Sequence, residues 1–148
     1  MASIAQKKRM TNKDLKYHIT YLKMATEWSN LSCCKRKKVG ALIVKDGTII
    51  SDGFNGTPKG FPNDCEDANG DTHWYVLHAE ANAMMKVTRS TQSTDGATLY
   101  VTYSPCKDCS KLIIQSGIKL VIYQEEYRDT SGIKILRASG IDIVKLCI

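Results

Sequence analysis

Two cysteines stand three residues apart in Pro105-Cys106-Lys107-Asp108-Cys109, and a histidine stands two residues before an acid in His78-Ala79-Glu80. On a helix, residues i and i+3 share a face, so both sulfurs can reach one ion. At a helix N-terminus the dipole also favours thiolate. If the helix opened by His78 starts beside the one opened by the cysteines, the imidazole supplies a third ligand. One His and two Cys make a three-ligand zinc site with its fourth tetrahedral corner open, the mark of catalytic rather than structural zinc. Water at such a corner ionises near ~7, far below its bulk value. Two thiolates and a neutral imidazole leave the ion formally neutral. Glu80 is ill placed as a fourth ligand. It is well placed to take the water's proton and pass it to a ring nitrogen and a leaving amine.

The elements that must position these groups can be read from pattern. Residues 1–10 read as a loose basic tail. Thr11-Asn12-Lys13-Asp14 has the form of a capping box, and Leu15, Ile19, Leu22 and Ala25 then recur at helical spacing. A second apolar row, Tyr17, Tyr21, Met24, Trp28 and Leu31, implies a helix well covered by a sheet or another subunit. Val39–Val44 reads as a strand, and Asp46-Gly47 before Thr48-Ile49-Ile50 signals a hairpin. Residues 56–72 are polar and glycine-rich, the longest irregular stretch, and long loops in compact domains tend to be functional.

Beyond residue 77 the pattern is regular. Ala79–Val87, Cys106–Ser116 and Ser131–Ser139 read as helices, and Ala97–Tyr103, Ile118–Tyr123 and Ile141–Leu146 as strands. Ser104 is a candidate N-cap with Pro105 at the first helical position. Gly117 and Gly140 are helix stops. Alternating strands and helices imply crossovers and an at least partly parallel sheet. The whole of 1–148 reads as one catalytic domain, of a length that can bury a core without staples.

Composition excludes several classes. The hydrophobic fraction of 43% and charged fraction of 24% are those of a globular chain. No run of 18 apolar residues is present, which argues against a membrane span, and the N-terminus has no apolar signal core, which argues against secretion. The formal charge of +6 is uneven. Residues 1–38 hold ten basic and two acidic side chains, so a basic first third faces a remainder that is slightly acidic. This suggests attraction to phosphate. Lys37, Lys38, Arg89, Lys107 and Arg128 are candidates to hold one. Six cysteines in a chain without secretory features favour metal or catalytic roles over disulfides.

His-x-Glu followed by Pro-Cys-x-x-Cys is a stated signature of zinc nucleobase deaminases. Together with Val39-Gly40-Ala41, Gly53-Phe54-Asn55-Gly56-Thr57-Pro58, His78-Ala79-Glu80-Ala81-Asn82-Ala83, Ser104-Pro105-Cys106 and Leu112–Ile118, it makes the chain resemble the deoxycytidylate (dCMP) deaminase family from about Leu15 to Val144, as a viral or bacterial member. The resemblance implies a three-layer α-β-α, cytidine deaminase-like α/β fold: a five-stranded mixed sheet with helices on both faces. It implies hydrolytic deamination of dCMP to dUMP, with hydroxide on zinc attacking C4 of cytosine, in the cytoplasm and in supply of thymidylate synthesis. Zinc ligands fall on His78, Cys106 and Cys109, and the proton shuttle on Glu80. Asn55 matches an asparagine on the substrate sugar and Tyr127 a substrate-binding tyrosine. Ser104 and Trp74, beside the ligands, are further candidates to line the nucleotide site.

The same resemblance implies a homohexamer activated by dCTP and inhibited by dTTP with Mg²⁺, with Gly56, Thr57, Pro58 and Gly60 in the effector segment. In some bacterial and phage relatives the segments matching Cys34, Cys65 and His73 hold a structural zinc. Buried free thiols and an exposed His are the alternative, since no fourth ligand is evident. A polynucleotide or tRNA deaminase would need a track of stacking platforms, and only 7% of residues are aromatic. A deaminase of free cytidine or deoxycytidine is the other alternative, and a non-catalytic zinc module is a third.

Overall fold

The computed structural model describes residues 10–148; the basic tail therefore lies outside the described residues, apart from Met10. The first element is helix α1, Asn12–Ser29, opened by a capping box in which Thr11 Oγ1 accepts the Asp14 N–H at 3.0 Å and Asp14 Oδ2 accepts the Thr11 N–H at 3.0 Å. Strands β1, Gly40–Lys45, and β2, Thr48–Phe54, form the hairpin. Its turn residues Asp46 and Gly47 both have positive φ, 50° and 74°, the backbone whose twist matches paired strands. Then follow α2, Ala79–Thr88; β3, Thr98–Tyr103; α3, Lys107–Gln115; β4, Leu120–Glu125; α4, Ser131–Ala138; and β5, Asp142–Lys145.

The sheet order is β2-β1-β3-β4-β5. β1 is antiparallel to both neighbours, whereas β3, β4 and β5 are mutually parallel. Because β1 alone is reversed, β2 runs in the same sense as β3. Both end on the same edge of the sheet, and the helices that follow them, α2 and α3, start there.

Alternation along the strands divides two cores. Leu42, Val44, Tyr100 and Ile122 pack with Leu22 and Ala25 of α1 on one face. Ala41, Ile43, Leu99, Val101 and Val121 pack with residues of α2, α3 and α4 on the other. Each fully buried Leu or Ile contributes about 1.5–3 kcal/mol, so the scaffold under the site is firm. Of the second apolar row, Tyr21 packs against the first core, whereas Tyr17, Met24, Trp28 and Leu31 are exposed among the described residues.

Two local features fix where α2 begins. A Cβ on Gly53 would lie 2.5 Å from the Ala79 carbonyl oxygen and 2.7 Å from the Ala83 nitrogen, so only glycine lets the end of β2 sit against the helix. Gly56 and Leu77 form a two-bond bridge, Gly56 N–H to Leu77 O at 3.0 Å and Leu77 N–H to Gly56 O at 2.8 Å. The irregular excursion between them is thereby closed at its base. His78 is returned to the end of β2 although 23 residues separate it from Asn55 in sequence.

Candidate active site

His78 is the N-cap residue of α2, with φ −77° and ψ 157°, and its ring makes no capping bond. The imidazole turns instead to the tip of α3. There the N-cap is Cys106 rather than the expected Ser104. Cys106 is extended, with φ −70° and ψ 169°, and its sulfur accepts the Cys109 N–H at 3.4 Å. Capping by sulfur brings both cysteines to one point. Ser104 is used differently: its Oγ accepts the Tyr127 N–H at 2.7 Å and so seats Tyr127.

His78 Nδ1 lies 3.5 Å from Cys106 Sγ and 3.4 Å from Cys109 Sγ, and all three ligand atoms fall within 4.8 Å of one another. A tetrahedral zinc about 2.3 Å from sulfur and about 2.0 Å from nitrogen holds such pairs roughly 3.5 Å apart. The donor set and its spacing therefore fit zinc. The protonation pattern fits as well. Hydrogen bonds from the Cys109 thiol and then from His78 hold Cys106 down to about 4, in thiolate form. Cys109 is pushed up by its hydrogen bond to Cys106 and by burial. His78 is raised, chiefly by its bond to Cys106. A cation entering this group finds one thiolate ready and displaces the protons that Cys109 and His78 hold.

Glu80, in the first turn of α2, is only 4% exposed. Burial is the main cause that pushes its carboxyl up to about 7. A carboxyl poised near neutrality can both take and return a proton at working pH.

His78, Glu80 and Cys106 open onto a cavity of about 280 Å³. Ala79, Asn55, Ser104 and Tyr127 also line it. Asn55 accepts the Val39 N–H at 2.9 Å on Oδ1 and donates Nδ2 to the Lys37 carbonyl at 2.8 Å, so it pins the backbone of 37–39 to the end of β2. Pattern alone missed Arg36, Glu66, Thr72, Val76 and Tyr103. Lys37, one of several phosphate candidates, is on this wall, with Nζ 4.2 Å from the Tyr103 ring centroid and 4.6 Å from that of Tyr127. Two ring faces hold the ammonium in place. Only the juxtaposition of Lys35–Lys38 with an apolar strand hinted at this wall.

Two expectations are corrected. Trp74 does not line the cavity. It sits at the tip of the turn closed by Val76 N–H to His73 O at 3.2 Å, and it is 92% exposed. Cys34, Cys65 and His73 do not gather. Cys34 and Cys65 are joined in a disulfide, against the expectation from cysteine usage, and the third sulfur beside them is Cys33, 3.5 Å from Cys65 Sγ. The His73 backbone reaches Cys65, N–H to O at 2.8 Å, but its ring stacks on Tyr75 at 4.8 Å between centroids. At Gly56 the backbone N–H is bonded to the Leu77 carbonyl. Among the described residues, no helix is long and apolar enough to cross a membrane.

Residues 15–125 match the family described as the cytidine and deoxycytidylate deaminase zinc-binding region. The chain belongs to the cytidine and deoxycytidylate deaminase family. It is a deaminase hydrolase with the cytidine deaminase-like fold, in which the five-stranded mixed sheet is flanked on both faces as expected. It is similar to the dCMP deaminase of cyanophage S-TIM5, whose crystal structure holds dCMP and dUMP: TM-score 0.87 and 48% identity over 88% of this chain and 97% of that one. The deoxycytidylate deaminase of Enterobacteria phage T4 is 37% identical over 84% of this chain and 86% of its own length. That of Mycobacterium phage D29 is 39% identical over 72% and 92% respectively.

Proposed function

We propose that this chain hydrolyses dCMP to dUMP and ammonia. The observation that carries the reading is a single cavity lined by His78, Cys106 and Glu80 together with Arg36 and Lys37. A substrate with an amine on a ring and an anion some distance away suits both. Zinc held by His78, Cys106 and Cys109 supplies Lewis acidity that makes water a nucleophile near neutral pH. With the metal bound, Glu80 would hold a proton of the attacking water and return protons to the ring nitrogen and the departing amine. Asn55 and Ser104 keep the 37–39 backbone and Tyr127 in place. Lys37 meets the 5′-phosphate with a charge already oriented between two rings, and Arg36 adds a second. The similarity to phage dCMP deaminases supports the nucleotide over the free nucleoside.

An assay of dCMP against deoxycytidine tests this. The kcat/KM should favour dCMP by at least about 100-fold, because a site built to pair an anion loses heavily when it is missing. Lys37→Ala should raise KM for dCMP about tenfold and leave deoxycytidine little changed. Equal turnover of the two substrates by the natural chain would sink the phosphate reading.

The resemblance of Gly53–Pro58 also supports family-type control: a homohexamer activated by dCTP and inhibited by dTTP with Mg²⁺ through Gly56, Thr57, Pro58 and Gly60. The same assay, repeated with these nucleotides, should give dCMP saturation curves that steepen with dTTP and Mg²⁺ and relax with dCTP. Hyperbolic curves under every condition would remove this part alone.

A further inference from the structure

Glu66 is a buried acid that the reaction above does not use. It is 7% exposed and lines the substrate cavity. Its Oε1 accepts two backbone N–H groups, from Lys35 at 2.8 Å and Arg36 at 3.0 Å. Those bonds, with that from Arg36 the largest cause, hold its carboxyl below the usual range, so it is an anion. A short bridge to Thr72 fixes its backbone. The other oxygen, Oε2, is buried with no hydrogen-bond partner among the described residues. A buried carboxylate oxygen without a donor is costly and calls for an explanation.

The chemistry of the proposed substrate narrows what that donor is. With its phosphate ionised, dCMP carries only two kinds of hydrogen-bond donor, the 4-amino group and the 3′-hydroxyl. The amino group must face the reacting end, where Glu80 stands. The phosphate donates nothing, and an acid facing it would repel it. The 3′-hydroxyl is the donor that remains. Glu66 also stands at the Arg36 amide, beside the cationic wall rather than at the metal ligands. Asn55 Oδ1 already accepts the Val39 N–H, whereas Glu66 Oε2 accepts from no described residue.

We propose that Glu66 is the residue that reads the sugar, its Oε2 accepting a hydrogen bond from the 3′-hydroxyl of the substrate. The inference rests on the dCMP reading and deepens it. Glu66 does two things with one carboxylate: Oε1 holds the Lys35 and Arg36 amides, and Oε2 selects nucleotides with a free 3′-hydroxyl.

The test compares dCMP with 2′,3′-dideoxycytidine monophosphate in the natural enzyme, in Glu66→Gln and in Glu66→Ala. The natural enzyme should prefer dCMP by about 10–100-fold in kcat/KM, the range for a hydrogen bond to a charged group. In Glu66→Ala the preference should fall to about threefold or less, and Glu66→Gln should lie between. A purely structural role would weaken both substrates alike and leave their ratio high. A high ratio retained in both variants overturns the proposal. A ratio near one in the natural enzyme also overturns it while leaving dCMP deamination intact, and needs no variant to fold. Failure of the natural enzyme to deaminate dCMP at all overturns both readings together.

Discussion

Replacing Glu80 by glutamine should lower kcat for dCMP by about 10²–10⁴-fold while bound zinc and KM stay close to their natural values. The substitution keeps shape and volume and removes only the ability to take a proton. His78, Cys106 and Cys109 are untouched, so the metal site keeps its three donors. Folding should not suffer. The carboxyl at position 80 is 4% exposed and held up to about 7 mainly by burial, so a neutral amide is no worse accommodated there. Loss of rate with retained metal and melting temperature isolates proton transfer from ligation. Steady-state kinetics beside elemental analysis of the purified variant checks both halves. Near-natural turnover would remove Glu80 from the reaction, and loss of zinc would show it to be part of the metal site instead.

Much of this arrangement was legible in the sequence, for reasons that lie in local chemistry. Asp46-Gly47 selects one turn type, Thr11 and Asp14 satisfy each other's backbone, and His-x-Glu with Cys-x-x-Cys names the donors. Convergence of the two helix tips followed from strand direction, and the structure achieves it with β1 alone reversed. The cavity wall was legible only in part. Its residues Glu66, Thr72 and Val76 come from the irregular stretch before His78, where no period marks which side chain faces in. Its closure by the Gly56–Leu77 bridge and the Glu66–Thr72 bridge is a matter of non-local pairing. Trp74 misled for the same reason, because an aromatic residue next to a ligand histidine is no guide to direction when a turn intervenes. β4 begins at Leu120 rather than at Ile118, since the buried Ile118 follows the positive-φ Gly117 and belongs to the connection, not the ladder. The cap of α3 shifted from Ser104 to Cys106 because a sulfur could serve as cap and ligand at once. Residues with two roles are where propensity alone gives the wrong position.

His78→Ala should abolish stable zinc binding and reduce deamination below detection, with an informative pattern in stability. His78 occupies an N-cap position but its ring makes no capping bond, and it is exposed. Alanine can adopt the same extended backbone, so the metal-free variant should melt close to the metal-free natural chain. The natural chain alone should gain from zinc. A ligand at a thousand times its dissociation constant stabilises by about 4 kcal/mol, which at this chain length corresponds to roughly 10 °C in melting temperature. Thermal melts of both proteins, stripped with a chelator and then reloaded, separate the contributions. Cys109 would be a poorer choice, because it is buried in the core and its loss would mix packing with ligation. A variant that keeps zinc and turnover would break the assignment of the third donor. Equal melting temperatures for stripped and loaded natural protein would show that the metal does not hold the tips of α2 and α3 together. Either result would leave the fold standing and take away the centre on which the chemistry depends.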